Sequence, residues 1–387
     1  MMSVDALRGF DMFWIIGGEQ VAHALDAMGG GPVVATIATQ LKHVEWAGFH
    51  FYDAIFPLFL FLVGVSIVFS LGGAREEGQR TRAFGRIVRR SALLFGIGVL
   101  YYGGVERAWP DVQLLGVLPR IALCYLAAAT LFLVLSRKGV VLATAACLVL
   151  YWGLLTFAPF PDVNLKHPKI ESQVAAEPAE RLFAGAPTTH GVYEEGRNLT
   201  HYVDARWLPG WKRNLYYTNE GLLSTIPAIA TTLFGVMAGW VLIAPWSDRR
   251  KVAWLIGGGV LGIALGLLWG LQFPIIKRIW TSSFCLVASG VSSVLLGIFY
   301  QVIDVWRRQR WCVPFLWIGA NALAAYLAVS IIDFPGLAAR FVGGDVQRFV
   351  DAWLGAGAGG LLIALVGLLF PVLLVRYLYQ RKIFIRL

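Results

Sequence analysis

Long apolar stretches alternate with short polar segments along most of this 387-residue chain. A helix needs about 20 mainly apolar residues to cross the hydrocarbon core of a bilayer. Ten stretches come close to this length, and we predict that each forms a membrane-spanning helix. They run near residues 9–28, 50–71, 88–104, 113–135, 139–158, 220–244, 252–273, 280–304, 312–334 and 356–378. The pattern therefore predicts an all-α, polytopic membrane protein.

The composition supports this fold class. Hydrophobic residues make up 58% of the chain and charged residues only 14%, and the mean hydropathy is +0.66. A soluble domain usually has about 25% charged residues, because charge covers its surface. The same composition excludes disordered, collagen-like and disulfide-scaffold chains. The four cysteines lie in apolar stretches without CxxC or Cys/His spacing, so we expect neither a disulfide framework nor a metal site.

The net charge of +10 is distributed as in a membrane protein. Among the short loops and tails, one alternate set contains 18 Lys and Arg residues and the other only 6. The positive-inside rule places the basic set, and with it both termini, in the cytoplasm. The clusters are too short and too scattered for a nucleic-acid surface, so we expect no nucleic-acid partner. The first apolar run is expected to remain as a signal-anchor.

One long polar segment, residues 159–219, separates the fifth and sixth predicted spans and is predicted to lie outside. It is rich in Pro, Asn, Asp and aromatic residues and shows little helical periodicity. A loop of this length is often functional. It could cover an external cavity or serve as a solvated connector. Apart from this loop, residues 1–387 are expected to form a single transmembrane domain.

Several charged residues lie inside predicted spans, where each costs about 2.5–3.5 kcal/mol on insertion scales. They are Asp11, Glu19, Asp53, Arg120 and Asp333. Asp11 and Glu19 are eight residues apart, so they share one helix face, which we expect to line the bundle interior. There they could pair with interior Arg or Ser side chains, or line a substrate path. The uncharged Asn321, Ser282 and Ser283 also need partners, and helix–helix hydrogen bonds are one reading of them.

Arg120 directly follows Pro119, and we expect the proline to open the backbone ladder of that helix. An Arg beside such a break could bind a phosphate or carboxylate inside the protein. The alternative is an ion pair with Asp11, Glu19 or Asp53.

The segment from His43 to Asp53 carries a possible catalytic pair. His43 precedes the second span on the predicted outer side, and Asp53 follows about three turns later, before Pro57, which is expected to kink the helix. An imidazole that Asp53 orients could act as a general base or a nucleophile. His50 has the same chemistry, and either histidine could instead be an ordinary interfacial residue.

A set of ordered motifs then resembles one membrane family. The motifs are Val4-Asp5-Ala6-Leu7-Arg8-Gly9-Phe10-Asp11, His43-x-x-Trp46-x-Gly48, Asp53-x-x-Phe56-Pro57-x-Phe59, Gly116-Val117-Leu118-x-Arg120, Asn219-Glu220-Gly221-Leu222-Leu223, Trp280-Thr281-Ser282-Ser283 and Gly319-x-Asn321-Ala322. This set resembles the heparan-alpha-glucosaminide N-acetyltransferase family, including its bacterial homologues.

The resemblance implies an enzyme that moves an acetyl group from cytoplasmic acetyl-CoA to the amine of a terminal glucosamine on the other side of the membrane. It selects His43 over His50 as the catalytic residue. Asp53 could orient this histidine and stabilise its cation. Candidate ligands of the CoA moiety are Arg86, Arg89, Arg90, Arg120, Ser282, Ser283 and Asn321. Candidate acceptor-binding residues are Asp11, Glu19, Trp46 and Trp280. Both tryptophans could instead be packing residues.

Two other classes fit the same features. One is an O-acyltransferase for a cell-envelope glycan, and the other is a membrane transporter without covalent chemistry. Neither a direct transfer nor an acetyl-histidine route is favoured by the residues alone. We expect a bacterial inner membrane, with a lysosomal membrane as the second choice, and the resemblance also allows a homodimer.

Overall fold

The computed structural model describes residues 1–29, 31–76, 79–168, 170 and 179–385. Within these residues the chain forms sixteen α-helices and four strands of two residues each. The helices are α1 (Met2–Ala27), α2 (Pro32–Gln40), α3 (Ile55–Glu76), α4 (Arg80–Tyr101), α5 (Val117–Val134), α6 (Arg137–Phe157), α7 (Ala179–Phe183), α8 (Leu199–Trp207), α9 (Thr225–Ile243), α10 (Asp248–Gly270), α11 (Ser282–Phe299), α12 (Val313–Ala320), α13 (Ala322–Ile331), α14 (Phe334–Val342), α15 (Asp345–Leu354) and α16 (Ala358–Gln380). The strands are β1 (Phe160–Pro161), β2 (Thr188–Thr189), β3 (Tyr193–Glu194) and β4 (Arg197–Asn198). The predicted all-α class is confirmed.

Helices occupy all ten stretches that were predicted to span a membrane. Among the described residues, seven helices are long and apolar enough by themselves, namely α3, α5, α6, α9, α10, α11 and α16. The pair α12 and α13 bends by 68° and counts as an eighth span if it crosses as one unit. Helices α1 and α4 are equally long, but charged residues interrupt their apolar faces. Their crossing of the membrane stays a prediction.

The outward faces of these helices support an integral membrane protein. Leu142 on α6 is 69% exposed and Leu268 on α10 is 64% exposed, whereas Asp11 and Arg120 are fully buried. Large exposed apolar faces on a bundle with a polar interior need a bilayer to cover them.

Glycines allow the central helices to pack closely. A Cβ atom on Gly64 of α3 would lie 1.9 Å from the Thr232 carbonyl oxygen of α9, and one on Gly235 of α9 would lie 1.8 Å from the Phe61 carbonyl oxygen. Small residues at such crossings let helix backbones approach where lipid provides no hydrophobic drive for association. This close packing fixes α3 against α9. Asp53 lies directly before the first turn of α3.

Two predicted helix breaks are wrong. Pro57 is the third residue of α3, which follows a 3₁₀ turn at Phe51–Ala54, and Pro119 is the third residue of α5. The backbone N–H groups of a first turn have no partner within their own helix, so a proline there removes no hydrogen bond. Both prolines therefore lie in the first turn of a helix, and neither breaks the backbone hydrogen bonds of its helix.

The described part of residues 159–219 contains secondary structure that its composition did not predict. Strand β1 pairs with β2, and β3 pairs with β4, both antiparallel. The Asn198 side chain caps α8 by accepting a hydrogen bond of 2.9 Å from the His201 N–H. The indole N–H of Trp46 donates to the Tyr193 carbonyl at 2.8 Å, so this segment contacts the region of His43.

Candidate active site

The structure brings His43 and Asp53 together. Nδ1 of His43 lies 2.8 Å from Oδ1 of Asp53. The Asp53 side chain is fully buried, and its Oδ2 accepts hydrogen bonds from the backbone N–H groups of Val44 at 3.3 Å and His50 at 3.0 Å. The carboxylate is therefore held in place, and an Nδ1–H bonded to it leaves Nε2 as the acceptor of the neutral imidazole.

The second histidine is placed differently. Nδ1 of His50 lies 3.0 Å from the Lys42 carbonyl oxygen, so a backbone contact engages this ring. Its backbone N–H donates to the Asp53 carboxylate at 3.0 Å, and its carbonyl oxygen accepts from the Asp53 N–H at 3.0 Å. Only His43 therefore has the carboxylate orientation that the sequence predicted for a base or nucleophile.

Lys277 completes this group and was not predicted as a site residue. Its Nζ lies 2.9 Å from Nδ1 and 3.3 Å from Nε2 of His43, and 3.4 Å from Oδ1 of Asp53. The Tyr52 ring packs against the imidazole from another side, with the ring centroids 4.7 Å apart. A sequence signal for Lys277 exists: Lys277 and Arg278 are consecutive basic residues in a loop predicted to lie outside, where the positive-inside rule disfavours them.

Burial and the neighbouring charges act on both titrating groups. Burial lowers the pKa of His43, the hydrogen bond with Asp53 raises it, the Lys277 ammonium lowers it, and the result lies below the ordinary value of 6.5. Burial also lowers the pKa of Lys277, although Asp53 raises it. At neutral pH His43 is therefore mainly a neutral imidazole, the form that can accept a proton or attack a carbonyl carbon.

Two loops from distant parts of the chain build this group. Ala47 forms an isolated antiparallel bridge with Ile276, and the Gly48 N–H donates to the Ile275 carbonyl at 2.9 Å. Gly48 has a φ of +130°, a backbone conformation that favours glycine. The bridge sets the loop of His43 beside the loop of Lys277.

The hairpin β3–β4 contacts both the loop of His43 and the loop of Lys277. Trp46 is bonded to Tyr193 as described above, and Nη1 of Arg278 donates to Oε1 of Glu195 at 2.6 Å. Oε1 of Glu195 also accepts a hydrogen bond from the Tyr217 hydroxyl at 2.9 Å. The long segment is thus more than a connector, because it contacts each loop of the site.

A cavity of about 540 Å³ opens at His43, and we call it the outer cavity after the predicted side of the His43 loop. It is lined by Thr39, Lys42, His43, Val44, Glu45, Trp46, Ala47 and His50. Glu19 lies at the outer end of α1, where its charge raises the pKa of His43. Its side chain is 74% exposed, whereas Gly18 and Ala22 of the same helix are buried; the prediction that Glu19 faces the bundle interior is therefore wrong, because it lies on the exposed face of α1. A role for Glu19 in binding an acceptor stays a prediction.

An inner cavity of about 640 Å³ approaches the same group from the opposite end of the bundle. Its polar lining consists of Asp5, Arg8, Ser66, Ser70, Arg90 and several tyrosines, and the remaining walls are mostly apolar. Arg8 donates to Asp5 at 3.1 Å and to Ser66 at 2.8 Å, and the Arg90 guanidinium lies 4.9 Å from the Tyr125 ring centroid. The cavity reaches Phe56, which is one helical turn beyond Asp53.

The predicted arginines separate into three kinds of position. Arg86, Arg89 and Arg90 are all exposed on α4, but only Arg90 is among the residues that line the inner cavity. Arg120 is fully buried, and its Nη2 donates to the Gly221 carbonyl at 3.1 Å and to the Ser224 hydroxyl. Arg8 was not predicted, although it stands in the first motif of the sequence.

Among the described residues, no carboxylate pairs with Arg120. The alternative interpretation, an ion pair with Asp11, Glu19 or Asp53, is therefore wrong, because the Arg120 guanidinium bonds to residues just before α9 and lies 5.2 Å from the Trp280 ring centroid. Asp11 is buried, and neither of its oxygens has a hydrogen-bond partner among the described residues.

The two candidate tryptophans differ in access. Trp280 is only 2% exposed, and it packs between Arg120 and Phe56, whose ring centroid is 5.3 Å away. Trp46 lines the outer cavity. The structure therefore leaves Trp46 accessible to a sugar ring and Trp280 inaccessible.

The remaining polar candidates have structural partners. The Ser282 hydroxyl donates to the Leu148 carbonyl at 2.7 Å, and the Ser283 hydroxyl donates to the Phe273 carbonyl at 2.6 Å. Asn321 stands at the bend between α12 and α13, where its Oδ1 accepts from the Ile385 N–H at 3.2 Å. Asp333 is exposed and caps α14, accepting from the Gly336 N–H at 2.9 Å, so it is not an interior charge.

Comparison with known proteins agrees with the motifs. The model of a family described as "Heparan-alpha-glucosaminide N-acetyltransferase, catalytic" matches residues 1–168, a range that contains His43, Asp53, Arg8 and Arg90 but not Lys277. The human heparan-alpha-glucosaminide N-acetyltransferase is 25% identical over 383 residues, which cover 87% of this chain and 54% of the human one. The mouse protein of the same name is 26% identical over 343 residues, covering 76% of this chain and 50% of its own.

The chain thus spans about half the length of the curated relatives it matches. The predicted resemblance is confirmed.

Proposed function

We propose that this protein is a transmembrane acetyltransferase. It takes the acetyl group of acetyl-CoA at one face of the membrane and transfers it to the amine of a terminal glucosamine, or of a related amino sugar, at the other face. The observation that carries this proposal is that the pair of His43 and Asp53 lies close to both cavities. Asp53 holds His43 at the outer cavity and stands one helical turn from Phe56 in the wall of the inner cavity. An acyl group that reaches Phe56 is within about 5 Å along the helix axis of the catalytic pair.

The inner cavity suits the donor. Its volume of about 640 Å³ lies within the usual range of roughly 300–1,000 Å³ for ligand pockets. Arg8 of α1 and Arg90 of α4 would bind the CoA phosphates, and the apolar walls would hold the pantetheine arm. The asymmetry of the loop charges favours the cytoplasm for this end and for both termini.

His43 would do the chemistry from the outer cavity. As a neutral imidazole it either accepts a proton from the attacking amine or takes the acetyl group itself. In both cases Asp53 stabilises the cationic imidazolium that forms. The acceptor sugar would lie in the outer cavity, with Trp46 as a stacking surface and Glu19 near the amine. We place the whole unit, residues 1–387, as one domain in a bacterial cytoplasmic membrane.

The first experiment measures acetyl transfer by the purified protein in detergent. Labelled acetyl-CoA is offered with glucosamine and with glucosaminides, using the wild type, His43→Ala and, as a matched control, His190→Ala, whose side chain is exposed in the outer segment. We expect transfer in the wild type and the control, and none in His43→Ala, with acetyl-CoA still bound by all three.

Two results would contradict this assignment. Bound acetyl-CoA without transfer to any amino sugar would indicate a different acceptor, such as a glycan hydroxyl. No binding of acetyl-CoA would contradict the acetyltransferase altogether and favour a transporter.

A further inference from the structure

Lys277 is held more firmly than a surface lysine. The hydroxyl of Thr281 accepts a hydrogen bond from the Ile276 N–H at 3.0 Å and donates one to the Pro274 carbonyl at 2.8 Å. The Thr281 N–H donates a hydrogen bond to the Ile276 carbonyl at 3.1 Å, and this bond closes the loop that contains Lys277. Ile276 also forms the bridge to Ala47. The backbone on either side of Lys277 is therefore fixed relative to the loop of His43.

The contacts of the Lys277 ammonium differ from those of a simple ion pair. It lies closer to the His43 ring, at 2.9 and 3.3 Å, than to the nearest carboxylate oxygen of Asp53, at 3.4 Å. Asp53 already accepts from His43 and from two backbone N–H groups. A lysine that only neutralised Asp53 would not need to lie within 3.3 Å of both imidazole nitrogens of His43.

We propose that Lys277 is a third catalytic residue, whose ammonium stabilises the negative charge that develops on the carbonyl oxygen of the acetyl group during transfer. This inference rests on the proposed acetyltransferase function and extends it to the transition state. A carbonyl carbon in reach of Nε2 carries its oxygen only about 1.2 Å away. An ammonium 3.3 Å from Nε2 can therefore reach that oxygen at hydrogen-bond distance, which is the geometric requirement of an oxyanion site.

The reaction balances as follows for direct transfer. The amine nitrogen forms a bond to the carbonyl carbon, and the π electrons of the C=O bond move to the oxygen beside Lys277. The amine proton passes to Nε2 of His43. When the C=O bond re-forms, the C–S bond breaks, its electron pair leaves on sulfur, and His43 returns the proton to give the amide and free CoA thiol. In the acetyl-histidine route Nε2 itself forms the first bond, and the same oxygen becomes negative in each of the two steps.

The charges around Lys277 and His43 set the expected pH dependence. The charges of Asp53 and Glu19 raise the pKa of His43, and the charge of Lys277 lowers it. The charges of Asp53 and Glu220 raise the pKa of Lys277, and the charge of Arg278 lowers it. Loss of the proton from Lys277 would remove the oxyanion partner, so activity should fall on the alkaline side, below the usual range for a lysine. Protonation of His43 should produce the acid limb, below pH 6.5.

The test compares Lys277→Met with the wild type in acetyl transfer to glucosamine. We expect kcat to fall about 10²- to 10³-fold, as for loss of one oxyanion donor, with the dissociation constant of acetyl-CoA within about threefold. The alkaline limb of kcat/KM should disappear, and the acid limb should move to higher pH, because the Lys277 cation lowers the pKa of His43. The matched control is Arg348→Met, which removes an exposed cation on α15 and should leave kcat unchanged.

A second variant separates charge from folding. Lys277→Cys should be as slow as Lys277→Met, and alkylation with 2-bromoethylamine, which rebuilds an ammonium at this position, should restore at least about tenfold of the loss. The wild type treated in the same way serves as the reference. Full activity of Lys277→Met, or no rescue of a folded Lys277→Cys, would overturn the role of Lys277. Absence of both transfer and acetyl-CoA binding in the wild type would instead overturn the proposed function.

Discussion

Replacing Asp53 by Asn removes the charge of the proposed catalytic pair, His43 and Asp53, and keeps the shape of the side chain. In the wild type the carboxylate accepts from His43, from the Val44 N–H and from the His50 N–H. An Asn side chain has one acceptor oxygen and one NH₂ group, so it cannot accept from all of these donors. If its oxygen stays with the backbone N–H groups, its NH₂ faces Nδ1 of His43. The imidazole then carries its proton on Nε2 and can neither accept a proton nor attack there.

The size of the effect follows from this contact. A hydrogen bond to a charged group contributes about 1.5–3 kcal/mol, which corresponds to about a 10- to 150-fold loss of rate if it is lost in the transition state. The wrong tautomer increases this loss, up to about 10⁴-fold in a comparable catalytic triad. We therefore expect kcat of Asp53→Asn to fall between about tenfold and about 10⁴-fold.

The pH profile provides a second readout. The charge and the hydrogen bond of Asp53 raise the pKa of His43, and its charge raises that of Lys277. Without the carboxylate both pKa values fall, so both limbs of kcat/KM should move to lower pH. The assay is steady-state transfer from labelled acetyl-CoA, with Asp111→Asn, an exposed residue of a 3₁₀ turn, as the control. A folded Asp53→Asn protein with wild-type kcat and an unmoved acid limb would refute the reasoning.

Two further predictions use matched pairs of residues. Arg90→Met should weaken acetyl-CoA binding by about tenfold, because it removes a cation from the inner cavity, whereas Arg86→Met, which lies outside that cavity, should not. Calorimetric titration with acetyl-CoA measures both dissociation constants, and equal effects would contradict the assigned cavity. Gly64→Ala should destabilise the fold by about 1–3 kcal/mol, because its Cβ would lie 1.9 Å from the Thr232 carbonyl oxygen, whereas a Cβ on Gly72 would meet open space. Thermal unfolding of Gly64→Ala and Gly72→Ala in detergent measures the difference, and similar midpoints would contradict the close packing of α3 and α9.

The fold was largely predictable because membrane helices leave a strong periodic and compositional signal. All ten predicted stretches contain helices, and boundaries differ by a few residues for most of them. The largest differences arise where polar residues continue a helix beyond its apolar part, as at Arg80 in α4. Short helices such as α2 and α15 were missed, since nine or ten residues cannot be recognised by a search for membrane spans.

The site was predictable only in part. His43 and Asp53 lie in one short segment, so local reasoning and the family motif could pair them. Lys277 is 234 residues from His43, and nothing local predicts that contact. For Ser282 and Ser283 the sequence left two interpretations open, because a hydroxyl that donates to a backbone carbonyl, as both do here, cannot be distinguished in sequence from one that binds a ligand.

The surroundings of Asp53 connect the folding of the outer loops with the chemistry. A buried carboxylate remains ionised only if its lost hydration is replaced by hydrogen bonds and opposite charge. Here every replacement comes from outside α3: the loop of His43 supplies two N–H groups and the imidazole, and the loop of Lys277 supplies the cation. Because the β3–β4 hairpin holds both loops, loss of that docking would leave Asp53 without its partners and favour its neutral form. A neutral Asp53 cannot stabilise the His43 imidazolium, so we expect the proposed activity of this pair to depend on the β3–β4 hairpin, although the hairpin contributes no atom to the pair.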